Sequence, residues 1–172
     1  VSQIENAKEI AMTEPIWTAP SHRMDVASAR RSVLLQHQLI RELLNRAREV
    51  AERALDQEVQ PVDAVAGAIG DIHATLETHL RFEEKVLVDI LNDDLPLGPL
   101  RAERLRDEHA RQRAMLSLIH AETKAAPQIP MLAAKLAFLT SWLLDDMDEE
   151  ERTMLAPGAL RDDLVSIDQS DG

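Results

Sequence analysis

Six side chains in this sequence combine metal-binding chemistry with helical spacing: His37, His79, Glu83, His109, Asp146 and Glu150. Each interrupts a stripe of apolar residues that recur at alternating intervals of four and three, the pattern of a helix with one face in a bundle core. The first stripe is Val33, His37, Ile40, Leu44, Ala47 and Ala51. The second is Val65, Ile69, Ile72, Leu76, His79, Glu83, Val86 and Ile90. The third is Leu105, His109, Gln112, Leu116 and Ile119, and the fourth Leu132, Leu136, Leu139, Leu143, Asp146, Glu150 and Thr153. A carboxylate on such a stripe is aimed at the interior, where an unpaired charge is costly. Three carboxylates meeting three imidazoles there point to cations between them.

The elements that must bring the six together are four long helical patterns separated by short breaker clusters. They run from about Val26 to Asp56, from Val62 to Asn92, from Pro99 to Lys124 and from Met131 to Leu155. Short connections between long helices predict an all-α, up-down-up-down antiparallel four-helix bundle. In an antiparallel pair, two residues share a height when the turn falls midway between them. The midpoint of His37 and the 79/83 pair is residue 59, inside the expected turn Gln57–Pro61. That of the 79/83 pair and His109 is residue 95, inside Asn92–Gly98. That of His109 and the 146/150 pair lies between 128 and 129, inside Pro127–Pro130. Three midpoints on three turns place all six residues in one layer.

The donor set narrows the metal. Residues at i and i+4 share a helix face about 5–6 Å apart, so His79 with Glu83 can chelate one ion or straddle two. Two divalent cations nearly balance three carboxylates and one hydroxide, with the imidazoles neutral. Six donors exceed the roughly four of a tetrahedral zinc site. Mixed imidazole and carboxylate ligation suits iron or manganese best, with zinc as an alternative. The metal-free alternative is a buried salt-bridge network to which Arg113 lends positive charge.

Composition excludes much else. The chain has no cysteine, which removes disulfides, zinc–thiolate sites, iron–sulfur clusters and thiol catalysis. With 31 acidic and 19 basic residues the formal net charge is −12, which argues against nucleic acid or an anionic membrane as partner. No apolar run approaches the roughly 20 residues of a membrane span. The N-terminal residues lack a secretory pattern, so the expected compartment is cytoplasmic. Five glycines are too few for a turn-dense β fold or a phosphate-binding glycine loop. No Ser-His-Asp arrangement stands out, and no catalytic residue is assigned. Residues 1–24, broken by Pro15 and Pro20, read as an N-terminal arm, 25–157 as the bundle, and 158–172 as a polar tail.

At this point the sequence resembles the hemerythrin-like, HHE cation-binding family over about residues 26–157. The first-helix motif is matched by His37 in Gln-His-Gln-Leu-Ile-Arg-Glu-Leu-Leu, and the second by His79-Leu-Arg-Phe-Glu83-Glu. Asp107-Glu-His109 matches the third, and Asp146-Met-Asp-Glu-Glu150-Glu-Arg-Thr-Met-Leu-Ala-Pro the fourth, with Asp146 where the family has histidine. The arm with Glu-Pro-Ile-Trp17 is also similar to that of hemerythrins. The resemblance implies a non-heme pair of iron ions, bridged by an oxo or hydroxo group and by carboxylates. The implied partner is a small diatomic ligand or peroxide. Two departures bear on this. The second histidine that oxygen carriers place one turn after that of helix three is Arg113 here, and Asp146 replaces another imidazole. Three imidazoles with three carboxylates form a harder, more anionic set, which favours the ferric state and shifts the expectation from oxygen carriage towards reaction or sensing. The alternatives are a metal-responsive regulatory or buffering module and a metal-free bundle with a degenerate site.

Three histidines lie off the layer. His22 is expected to be solvated in the arm. His73 is expected at the surface, about 9 Å of helix rise from His79, and His120 at the end of helix three, about 16 Å from His109.

Overall fold

The computed structural model describes residues 24–56, 62–94, 97–125 and 128–160. All of the N-terminal arm but Met24, and residues 161–172 of the tail, lie outside the described residues. Four helices account for the fold: α1 (Val26–Leu55), α2 (Val62–Asp94), α3 (Gly98–Glu122) and α4 (Ile129–Thr153). Among the described residues there is no strand. Asp25 caps α1, its carboxylate accepting from the Ser28 amide at 2.9 Å, which satisfies one of the free donors of the first turn. Pro99 and Pro130 open α3 and α4, where a missing N–H is harmless.

The interhelical contacts give direction and register. Arg30 donates to the Leu155 carbonyl at 2.6 Å, His37 to Glu151 and Arg41 to Asp148, so α4 descends as α1 climbs. His109 meets Glu84 and Arg113 meets Glu77, so α2 and α3 are antiparallel too. Gln112 meets Asp146 and Lys135 meets Glu122, which fixes the same relation for α3 and α4. The result is the expected four-helix bundle.

The sharpest joint is between α2 and α3. Leu97 adopts a left-handed backbone, φ 63°. Gly98 then passes so close to α2 that a β-carbon there would lie 1.7 Å from the Leu91 carbonyl oxygen. Only glycine lets the two helix ends approach this closely.

The core is in two parts. One joins Ile40–Ala54 of α1, Val65–Leu80 of α2, Leu116 and Ile119 of α3, and Leu132–Met147 of α4. The other joins Ala29 and Val33, Phe82–Leu91, Ala102, Leu105 and the chain beyond α4. Between them lies a polar layer of Gln36, His37, His79, Glu83, His109 and Gln112, all buried. The first three stripes are buried throughout. The fourth is buried only as far as Leu143: Asp146 and Glu150 are half-buried, Thr153 is exposed, and Met147 takes the core position. Past α4, Leu155 and Leu160 remain buried, and Arg101 donates to the Ala159 carbonyl, so packing continues into the stretch read as tail.

Candidate metal centre

Three imidazoles converge on one carboxylate. Glu83 is fully buried at the middle of α2, one turn after His79. Its Oε1 lies 3.4 Å from His37 Nε2 and 3.3 Å from His79 Nε2. Its Oε2 lies 3.3 Å from His109 Nε2. Glu150 approaches from α4, its Oε2 3.6 Å from His37 Nε2. The His37 and His79 rings meet edge-on, with centroids 5.0 Å apart. Asp146 stands apart from the imidazoles and accepts a hydrogen bond from Gln112, yet it lines the same small cavity as His79, Glu83, His109 and Glu150. Five of the six sequence-identified residues thus touch one another, and the sixth borders their space.

The far nitrogen of each ring is held from outside. His37 Nδ1 donates to Glu151 Oε1 at 2.9 Å, His79 Nδ1 to Gln36 Oε1 at 2.9 Å and His109 Nδ1 to Glu84 Oε1 at 3.1 Å. This fixes the tautomer with the proton on Nδ1 and turns each Nε2 lone pair inward, the arrangement that outer partners impose on metal-binding histidines. The partners are themselves anchored. Arg41 holds Glu151 and Asp148, and Arg113 holds Glu84 and Glu77. Arg113 therefore does not neutralise the layer. Nor is Glu84 inside it, since its role is to back His109. Periodicity alone could not reveal these supports, because they sit beside the stripes, but the doubled Glu83-Glu84 and Glu150-Glu151 were a visible sign of them.

The layer is short of positive charge. Burial favours protonation of Glu83, but the surrounding imidazoles outweigh it and hold the carboxyl well below its ordinary range. Burial also lowers His79, to about 4, so that this ring is neutral at pH 7. Burial lowers His37 as well, but Glu83 and Glu151 reverse the shift and leave it above its ordinary value. On the other side, burial and then the neighbouring carboxylates, Glu83 first, push Glu150 well up. Burial and Glu108 raise Asp146.

The donors fit a metal better than they fit each other. His37 Nε2, both oxygens of Glu83 and Glu150 Oε1 are buried and have no hydrogen-bond partner. Leaving such groups unmade is expensive. Two donors bound to one ion at about 2.0–2.2 Å lie roughly 2.9–3.5 Å apart for bond angles near 90–110°. The observed separations of 3.3–3.6 Å fall in or next to that range and lack hydrogen-bond geometry. His37, His79 and Glu83 alone offer three ligand atoms within 4.8 Å of one another.

The profile of the hemerythrin HHE cation binding domain matches residues 29–156. The chain belongs to the hemerythrin HHE cation-binding family. Comparison with curated proteins and with solved structures returns no match. The matched span takes in the four helices almost entirely and all six candidate donors, so the buried His/Glu cluster lies within the HHE domain. A cleft of about 130 Å³ runs to it between α3 and α4, with His109, Asp146 and Glu150 among its walls and Arg101, Arg104, Glu149 and Thr153 nearer the surface. No helix among the described residues is long and apolar enough to cross a membrane.

Proposed function

We propose that the layer holds two iron ions and that the loaded protein binds or reacts with dioxygen, peroxide or nitric oxide. The observation that carries this reading is the placement of Glu83. Its two oxygens face different imidazoles, His37 and His79 on one side and His109 on the other, and neither oxygen has a hydrogen-bond partner. A carboxylate so placed is suited to span two ions. His37, His79 and His109 then serve as imidazole ligands, Glu150 as a second carboxylate near His37, and Asp146 as an oxygen ligand facing the cleft.

Bound iron supplies a redox couple and a coordination position for a small exogenous ligand. The protein supplies the rest. Glu151, Gln36 and Glu84 keep the three rings aimed inward. The two apolar core regions close the layer above and below, which leaves the α3–α4 cleft as an approach from solvent. The Gln112 amide steadies Asp146 on that open side.

The test is metal analysis with an optical spectrum on protein prepared without added metal and then given iron, manganese or zinc in separate arms. Two equivalents of iron with the near-ultraviolet absorption of a coupled ferric pair, perturbed by azide or peroxide, support the reading. Retention of zinc or manganese in preference to iron, with no response to these ligands, overturns it in favour of a metal-responsive or buffering module.

A further inference from the structure

Away from the layer, α2 and α3 bring two more imidazoles face to face. The rings of His73 and His120 stack with centroids 4.9 Å apart and planes inclined by 20°. Register explains the meeting. His120 lies eleven residues along α3 from His109, and His73 eleven residues back along α2 from Glu84, the residue His109 contacts. In an antiparallel pair these displacements match, about 16 Å in each helix.

The pair has the features of a ligand set. Both residues are half-buried. The His120 ring lies over the α2 backbone, its Cε1 3.9 Å from where a β-carbon of Gly70 would stand. Its Nδ1 is shielded from water and has no hydrogen-bond partner. Burial, then His73 and Lys124, lower the pKa of His120, which keeps that ring neutral with a lone pair to give. Among the described residues, the Glu122 carboxylate on α3 is held by Lys135, and Glu77, one turn after His73 on α2, by Arg81 and Arg113.

We propose that His73 and His120 form a second metal site, a two-imidazole clamp across α2 and α3 for a borderline divalent cation, Cu(II) or Zn(II), completed by water. Two nitrogens bound to one ion at about 2.0–2.1 Å lie roughly 3–4 Å apart. Stacked rings hold their in-plane lone pairs parallel, so binding one ion requires the side chains to turn until a nitrogen of each faces it, and the 4.9 Å between the centroids keeps the two rings within that reach. Neutral nitrogen donors without a carboxylate favour copper most and hard cations least. The clamp therefore differs in selectivity from the carboxylate-rich layer, and a bound ion ties α2 to α3.

The test compares full-length parent with His73→Ala, His120→Gln and the double variant, each titrated with Cu(II) at pH 7.4 in a non-coordinating buffer and followed by electron paramagnetic resonance. A parallel zinc titration by calorimetry separates the two cations. The readout is the difference between parent and variants, so it does not depend on what the buried layer holds. The parent is expected to take up one Cu(II) more than the double variant, with nitrogen couplings from two imidazoles. Losing one ring removes the chelate advantage and weakens that equivalent by roughly 100-fold or more. Helicity, and any metal in the buried layer, stay unchanged in the variants. Equal copper uptake by parent and double variant, or nitrogen couplings that persist in the double variant, overturns the proposal.

Discussion

Replacing His79 by glutamine gives the metal-free protein a different dependence of stability on pH. The unfolded imidazole takes a proton near its ordinary value of 6.5, whereas the buried ring stays neutral down to about 4. A histidine with a depressed folded-state pKa contributes stability that is present above 6.5 and lost as pH falls towards 4, because the unfolded chain binds the extra proton. Each tenfold difference in proton affinity between the two states is worth about 1.4 kcal/mol, so the loss is about 1–2 kcal/mol by pH 5.5 and about 3 kcal/mol near pH 4. His79→Gln removes the titration but keeps a polar side chain within reach of Gln36. Urea unfolding of chelator-treated parent and variant, from pH 7.5 to 5.5, measures the difference directly. The variant gains on the parent by about 1–2 kcal/mol across that range. A difference that stays flat to within about 0.5 kcal/mol refutes the claim that the ring is buried neutral.

Three further perturbations follow from the same geometry. Chelation of metal-loaded protein lowers the melting temperature by roughly 5–10 °C per occupied site if the ion was held at about 100 times its Kd, as calorimetry with and without chelator reads; Glu83→Gln, which neutralises the central carboxylate, largely abolishes the shift. Glu151→Gln and Glu84→Gln leave every candidate donor in place but loosen the rings they hold, and metal titration shows affinity falling roughly 10–100-fold in each. Gly98→Ala drives a β-carbon into the Leu91 carbonyl and costs about 1–3 kcal/mol, whereas Gly67→Ala, with open space around it, gains about 0.5–1 kcal/mol; thermal unfolding of the two variants separates close approach from helix propensity.

Much of this molecule was legible in its sequence because its information is periodic. Four stripes gave four helices, and three midpoints on three turns gave the height of the polar layer. His37, His79, Glu83, His109 and Glu150 meet as that arithmetic requires. What periodicity does not carry is the direction of side chains beside a stripe. Glu84 and Glu151 sit about 100° around the helix from their neighbours Glu83 and Glu150, and only the packed bundle shows that they back His109 and His37. The separation of α3 and α4 was equally hidden, since an apolar stripe records what a helix can bury, not whether its neighbour comes close enough; hence the exposure of Thr153. The stacking of His73 on His120 is a different case. Their midpoint falls between residues 96 and 97, inside the same α2–α3 turn, so the test that located the layer also locates this pair when applied to residues off the main seam.

The charge distribution in the layer yields a last prediction. The arginines around it are committed elsewhere: Arg41 to Glu151 and Asp148, Arg113 to Glu84 and Glu77, Arg104 to Glu108. Glu83 is kept ionised by the imidazoles, but Glu150 and Asp146 have raised pKa values, from burial first and then from other carboxylates. In the metal-free protein these two therefore keep protons to higher pH than ordinary carboxyls. A cation entering from the cleft they line must displace those protons, together with any on His37, whose pKa is also raised. Protons and metal then compete, and the sign is fixed: affinity falls as pH falls, and metal uptake releases protons. Calorimetric titration in buffers of different ionisation enthalpy counts the protons released per ion. The expected count at pH 7 is above zero in the parent, and it drops in Glu150→Gln. Proton uptake on binding, or affinity that rises on acidification, would mean that cations bind somewhere other than between these carboxylates.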